Sequence, residues 1–317
     1  MRTLSLSPLS PCLVPALVLA LVATACGGSG PGGAPDGETL DEWRAQIEAF
    51  RSEREERLAR PDGWLTLVGL EWLQPGAQTF GAGFDADVQL PLDGGPAIAG
   101  TLVLDPPNVR LEPAPGAGLL ADGEPARPGE LRVDSEGDPT VLELDRLRFH
   151  VIEREGRFGV RIKDPRSPTR IQFPGLSWYP IDPDWRVTGR LDPYERPRRI
   201  ELAAAAGPAQ EAFVPGLVRF RVDGEEHALA PVVSDPDEEG SSLFFVFSDR
   251  TSGSETYGAG RFLSAEPPSS SGEVVLDFNK AYSPPCAFTP YATCPLPPPE
   301  NRLGIAVEAG EKDPGLH

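Results

Sequence analysis

The chain has 317 residues and a formal net charge of −19 at pH 7. This charge argues against nucleic-acid binding, because the phosphate backbone demands clustered Lys and Arg residues. The content of 37 Pro and 34 Gly residues favours many short strands and turns over helices.

The N-terminus has the pattern of a bacterial lipoprotein signal peptide over residues 1–26. A short positive region is followed by an apolar run at residues 13–23, which is too short to span a bilayer as a mature helix. The run ends in small residues before Cys26, where such peptides are cut and the Cys is lipidated. We expect a lipid anchor on Cys26, a flexible tether over residues 27–38, and a cell-envelope protein. Gly27 favours the outer membrane, facing the periplasm; the alternative is an ordinary secreted protein.

The first predicted element of the mature chain is a helix over residues 39–61. Thr39 and Glu42 have the spacing of a capping box, and Pro61 ends the pattern. The apolar residues that recur at helical intervals are Leu40, Trp43, Ile47 and Phe50. The opposite side is charged and is interpreted as a solvated surface.

Short strands separated by turns follow over residues 62–165, which predicts a β-sandwich domain. Its early part, FGAGFDADVQLP, resembles the start of a forkhead-associated fold. The resemblance implies a scaffold only, since Ala82 follows Gly81 where phosphothreonine-reading members have Arg.

A second β domain is predicted over residues 166–312. Residues 164–215 are rich in Pro and are interpreted as an irregular connector. A hairpin with Asp223-Gly224 at its turn follows. Further strands are predicted at residues 243–247, 257–263, 273–278 and 303–307. The expected fold class is therefore mainly β, with an N-terminal helix followed by two sandwich-like or barrel-like domains.

Cys286 and Cys294 are the cysteines that remain after Cys12 leaves with the signal peptide and Cys26 takes the lipid. An even pair in an exported protein predicts a disulfide. A two-thiolate metal site is the alternative, although no His lies nearby in the sequence to complete it. No metal-binding spacing, phosphate loop or nucleophile elbow is present, so no cofactor and no metal are predicted.

Polar, aromatic, Cys and Pro residues are dense over residues 245–311. The segments are FVFSDRTSGSETYGAGRFL and VVLDFNKAYSPPCAFTPYATCPLPPPENRLGIAVEAGE. They resemble the C-terminal signature of a bacterial family, domain of unknown function 1684. The resemblance implies relatives but no chemistry.

Two interpretations of this block remain open. In the first, its side chains pin down a long irregular loop. In the second, they form a preorganised cleft for a small molecule, an envelope glycan or a peptide, which makes the protein a non-enzymatic binding module. The candidate ligand-binding residues are Arg261, Tyr257, Asn279, Tyr282, Asn301 and Arg302.

Two rival functions are weighed against the binding module. One is a hydrolase that uses paired carboxylates, with or without a divalent cation. Its candidate catalytic residues are Asp277, Glu300 and Glu255, and Asp249 completes a conceivable oxygen-ligand set. The other is a purely structural envelope component. The expected partners are the membrane, through the lipid anchor, and an envelope ligand.

Overall fold

The computed structural model of the protein describes residues 38–235, 240 and 242–316. The predicted signal peptide, the lipidation site Cys26 and the tether up to residue 37 lie outside the described residues. Within the described part of the chain, no helix is both long and apolar enough to cross a membrane.

The N-terminal helix α1 spans Leu40–Ala59 and confirms the predicted helix. Its capping box is formed: the Glu42 N–H donates to Thr39 Oγ1 at 3.3 Å, and the Thr39 N–H donates to Glu42 Oε2 at 2.8 Å. The residues that α1 buries are Trp43, Ile47, Arg54 and Leu58. Leu40, which the pattern placed on the buried side, is 44% exposed because it lies in the first turn.

The first half of the chain forms two sheets that enclose one core. The strands are β1 (Leu67–Trp72), β2 (Gly76–Gly81), β3 (Val88–Gln89), β4 (Gly100–Asp105), β5 (Asn108–Pro113), β6 (Leu120–Ala121), β7 (Glu124–Pro125), β8 (Gly129–Leu131), β9 (Leu142–Leu144), β10 (Leu147–Arg154) and β11 (Arg157–Lys163). One sheet has the order β1-β11-β10-β9-β6-β7 and the other β3-β2-β4-β5-β8. Alternating side chains of both sheets share the core, where the rings of Phe80 and Phe149 lie 5.7 Å apart. The forkhead-associated-like interpretation of this half stays a prediction.

The second half contains a short helix and two further sheets. The elements are α2 (Pro168–Ile171), β12 (Arg186–Leu202), β13 (Gln210–Val222), β14 (Glu225–Leu229), β15 (Leu243–Phe247), β16 (Arg261–Ala265) and β17 (Glu273–Asp277). One sheet has the order β14-β13-β12-β17, and β15 pairs with β16. Phe278 lies at the centre of this core, 5.7 Å from Phe220 and 5.6 Å from Phe247 between ring centroids. Together with the first half, these sheets confirm the mainly β fold class.

The predicted irregular connector over residues 164–215 is wrong in its second part, which forms the long hairpin β12–β13. Strand β12 contains Pro193 and Pro197, and proline cannot donate a hydrogen bond to a ladder. A register shift between Pro193 and Arg198 takes the intervening residues out of the pairing, so the strand continues past them. The predicted strand at 303–307 is also wrong, because this segment is irregular and buries Leu303 and Val307 in the core.

The hairpin turn at Asp223-Gly224 is confirmed, with both residues at positive φ between β13 and β14. The predicted boundary between residues 62–165 and 166–312 falls between β11 and α2. A third apolar cluster joins the two sides, since it contains Leu67 of β1 together with Phe262 and Cys294. The described residues belong to one compact unit.

Candidate functional site

Arg261, a predicted ligand contact, is fully buried and bound inside the protein. Its Nη2 donates to Asp249 Oδ2 at 2.8 Å and to the Val307 carbonyl at 2.9 Å, and its Nη1 donates to the Ala309 carbonyl. Both side chains of the Arg261–Asp249 pair are 0% exposed. Arg261 therefore holds the irregular C-terminal segment against β16 and is not open to a ligand.

Asp277, a predicted catalytic residue, is also a structural contact. Its Oδ2 accepts a 2.8 Å hydrogen bond from Nε1 of Trp43 on α1, and its Oδ1 accepts from the side chain of Asn279 at 3.1 Å. The Asp182 N–H donates to Asn279 Oδ1 at 2.9 Å, and Asn279 Nδ2 donates to the Asp182 carbonyl at 2.8 Å. These buried contacts fasten α1 and the segment before β12 to the end of β17.

Asn301, another predicted ligand contact, is fully buried and uses its amide inside the protein. Its Nδ2 donates to the carbonyls of Ala230 and Val246, each at 2.9 Å, and its Oδ1 accepts from the Ala230 N–H at 2.7 Å. The Asn301 side chain thus satisfies backbone hydrogen-bonding groups of two separate chain segments.

The predicted carboxylates do not form one site. Glu300 is exposed, whereas Asp277 is buried. Glu255 is exposed and pairs with Lys312 at 3.5 Å. The described residues contain no group of three or more His, Cys, Asp or Glu side chains placed to hold a metal ion, so the conceivable oxygen-ligand set is not assembled. Arg302 is exposed.

Cys286 and Cys294 are buried free thiols in the structure, so the predicted disulfide is not formed there. The two residues are neighbours, since the Cys286 N–H donates to Cys294 Sγ at 3.2 Å. The contact with Cys286, together with burial, raises the pKa of Cys294. Tyr257 is part-buried beside the pair, and its hydroxyl donates to the Cys286 carbonyl at 3.0 Å.

Tyr282 is the predicted site residue that lines a cavity. This cavity has a volume of about 520 Å³ and lies between α1, the β15–β16 hairpin and the loop after β17. We call it the α1 cleft. Its lining residues are Phe50, Arg54, Arg57, Trp64, Ser242, Phe244, Phe262, Ser264, Ala265, Glu266, Lys280, Tyr282 and Pro285.

The α1 cleft has an aromatic surface held by backbone pairing. Phe262 and Tyr282 exchange two backbone hydrogen bonds, at 2.8 and 2.9 Å, so Tyr282 extends the edge of β16. The Phe262 ring packs edge-on against Phe244 at 4.9 Å and against Tyr282 at 5.8 Å between centroids. Burial raises the pKa of Tyr282, which keeps its hydroxyl neutral at physiological pH.

The charged residues of the α1 cleft are mostly basic. Arg54, Arg57 and Lys280 line it, against the single acidic residue Glu266. Lys280 is half-buried and forms no ion pair with the described residues. Arg57 has a weak i,i+4 contact with Glu53 at 3.5 Å, with both side chains more than half exposed. Neither of these two cations is held by a buried partner among the described residues, so both can meet an anion.

Arg54 has a different role, because its guanidinium group is already bonded to other residues of the protein. It pairs with the fully buried Glu311 at 3.2 Å, donates to the Ser283 carbonyl at 2.7 Å, and lies 4.8 Å from the Tyr282 ring centroid. Burial raises the pKa of Glu311, and Arg54 opposes that shift. Arg54 therefore helps to position Tyr282 in the lining of the cleft.

The basic residues on α1 were missed by sequence reasoning, which took the charged side of the helix as solvated. One signal was available: Arg54 follows Trp43, Ile47 and Phe50 at the same three- to four-residue spacing. A charged residue in the apolar stripe of a helix points to a buried partner or a ligand.

The fold and the cavity define a mainly β protein with a helix-covered, basic and aromatic cleft. The chain belongs, through residues 171–312, to the family described as "Protein of unknown function (DUF1684)". A solution NMR structure of an uncharacterized protein of Haloarcula marismortui is 36% identical over 47% of this chain and 81% of that one, with a TM-score of 0.40. No curated protein matches the chain.

Proposed function

We propose that the protein is a non-enzymatic binding module for a small anionic ligand that carries a ring or another apolar body. The observation that carries the proposal is the α1 cleft, whose aromatic surface and basic residues stand in a chain of net charge −19. A local excess of positive charge on an acidic protein favours an anion over a neutral or cationic ligand.

The two kinds of lining residue have separate tasks. Phe244 and Tyr282 offer ring faces and edges to an apolar body, and their burial in the complex supplies affinity. Lys280 and Arg57 supply charge-assisted hydrogen bonds that select an anion. An acidic glycan unit, a peptide carboxylate or a small aromatic acid meets these requirements.

The carboxylate-based hydrolase receives less support from the geometry. General acid–base chemistry needs two acids that converge in an open cleft. Asp277 is instead occupied by Trp43 and Asn279, and Glu300 is exposed elsewhere on the surface. A purely structural envelope component is supported by the buried contacts of Arg261 and Asn301, although these contacts do not account for the α1 cleft.

We further propose that a lipid on Cys26 holds the module at the outer membrane, facing the periplasm. The signal-peptide pattern and the small residues before Cys26 support this location. In that oxidising compartment the neighbouring thiols of Cys286 and Cys294 would form a disulfide.

The test is a fluorescence titration of the full chain with 1-anilinonaphthalene-8-sulfonate, an anionic ring compound that fluoresces in apolar sites. The uncharged dye Nile red is titrated in parallel. We expect saturable binding of the sulfonate dye at one site, weakened by salt because exposed charges contribute.

Variants separate the two tasks of the lining. Lys280→Gln should weaken binding of the sulfonate dye by about 10-fold, the value of one charge-assisted hydrogen bond, and leave Nile red unchanged. Phe244→Ala should weaken both dyes. Arg110→Gln removes one exposed charge on β5, outside the lining of the cleft. It is the matched control and should change the binding of neither dye. Folded Lys280→Gln and Phe244→Ala variants that bind both dyes like the unmodified protein would overturn the proposal.

A further inference from the structure

A second cavity of about 340 Å³ lies beside the α1 cleft, at the C-terminal end of α1. It shares Arg54, Arg57 and Trp64 with the cleft, so the two cavities are neighbours around the Trp64 side chain. Arg60 and Lys163 add further positive charge to its lining. We call this second cavity the basic groove.

Lys163 projects into the basic groove from the end of β11 and is held in place by one hydrogen bond. Its Nζ donates to the Asp62 carbonyl at 2.7 Å. A Lys ammonium has three N–H donors, so donors remain for a ligand. Burial and the nearby Arg161 lower the pKa of Lys163, and the carboxylate of Asp62, which also lines the groove, opposes that shift.

Arg161 is a buried cation that packs against Trp64, one of the lining residues of the same groove. The guanidinium carbon of Arg161 lies 5.3 Å from the centroid of the Trp64 ring, and the residue is 7% exposed. Its Nε is buried with no hydrogen-bond partner among the described residues. Burial, followed by the like charge of Arg154, lowers the pKa of Arg161 to about 10. The carboxylate of Asp134 opposes that shift.

The wall of the basic groove is shaped by a close approach of the turn after α1. A Cβ on Gly63 would lie 2.4 Å from the Leu58 carbonyl oxygen, so the turn packs tightly under the helix end. Next to it, Arg60 pairs with Asp62 through two 3.0 Å contacts, with both side chains more than half exposed. An exposed pair of this kind is weak, so Arg60 can turn to a ligand at little cost.

We propose that the basic groove is a phosphate subsite of the α1 cleft and that the ligand is a phosphate ester with a ring or apolar body. This inference rests on the proposed function, because it assigns the two cavities to one ligand. Arg57, Arg60 and Lys163 supply several donors from different directions, which suits a group with two charges and three terminal oxygens better than a carboxylate. The apolar body then extends past Trp64 into the α1 cleft, against Phe244 and Tyr282.

The test compares 1-naphthyl phosphate with 1-naphthoate, which has the same ring and one negative charge. Calorimetric titration of the full chain should give at least about 10-fold tighter binding of the phosphate. Lys163→Gln should remove that preference while the affinity for 1-naphthoate changes little. Arg110→Gln is the charge-matched control and should keep the preference. Arg60→Gln provides a second variant of the groove in case Lys163→Gln does not fold.

A second titration distinguishes a lipid headgroup from a soluble phosphate ester. In it, dihexanoyl phosphatidic acid is compared with dihexanoyl phosphatidylcholine. Tighter binding of the phosphatidic acid than of 1-naphthyl phosphate assigns a lipid headgroup, and the reverse order assigns a soluble phosphate ester. Both results support the subsite if they depend on Lys163.

Equal affinity for 1-naphthyl phosphate and 1-naphthoate would overturn the phosphate subsite. If the sulfonate dye still bound in the α1 cleft, the proposed function would survive that result. Phosphate binding that depends on Lys163 but is unchanged in Phe244→Ala would show two independent ligands and would also overturn the inference.

Discussion

The buried pair of Arg261 and Asp249 gives a sharp prediction about the family signature. Arg261→Met leaves Asp249 buried without its cation and removes the donors to the Val307 and Ala309 carbonyls. Loss of one partner of a fully buried ion pair typically costs about 3–5 kcal/mol. Because both side chains are 0% exposed, solvent screening does not reduce that cost. We expect a loss of unfolding free energy in this range.

The assay is equilibrium unfolding in urea, followed by tryptophan fluorescence. Arg302→Ala, at an exposed position of the same signature, is the control and should change the free energy by no more than about 0.5 kcal/mol. A double variant, Arg261→Met with Asp249→Leu, should be less destabilised than the two single variants together, since no charge is left buried. An unchanged urea midpoint for Arg261→Met, accompanied by loss of dye binding, would refute the structural role.

Three further predictions concern other buried groups. Burial, with Arg161 and Lys163 nearby, lowers the pKa of His150 from 6.5 to about 4, so the unfolded chain binds a proton first as the pH falls. Stability should therefore fall by up to about 3 kcal/mol between pH 6.5 and pH 4, and comparison of urea midpoints should show a smaller fall in His150→Gln. Trp43→Phe removes the donor to Asp277 and should cost about 1–3 kcal/mol in the same assay, whereas Leu40→Ala, in the exposed first turn, should change little. Cys286 and Cys294 are free thiols in the structure, and the proposed periplasmic location predicts that they are oxidised there. Protein exported to a periplasm should therefore show no titratable thiol at these positions until it is reduced. Two free thiols in the exported, unfolded chain would contradict the proposed disulfide.

Local patterns in the sequence were sufficient for the elements that depend on neighbouring residues. The capping box at Thr39 and the positive-φ turn at Asp223-Gly224 are both set by a few adjacent side chains, and both formed as predicted. The long strand β12 could not be foreseen, because Pro197 within it is accommodated by a register shift against β13.

The signature residues show why the site itself was harder to predict. Their density was consistent with either a brace or a cleft, and burial decides between the two. Burial depends on partners far away in the sequence: Trp43 and Asp277 are 234 residues apart, and Arg54 and Glu311 are 257 apart. Only the fold brings α1 onto the C-terminal segment, so Tyr282 alone among the predicted ligand contacts lines the cavity.

The most direct test of the proposed α1 cleft is a crystal structure of the protein with 1-anilinonaphthalene-8-sulfonate bound. We predict that the rings of the dye lie against Phe244 and Tyr282, with the sulfonate within hydrogen-bond distance of Lys280 or Arg57. Density for the dye on the exposed surface around Glu300 and Arg302, with the cleft empty, would contradict the proposal.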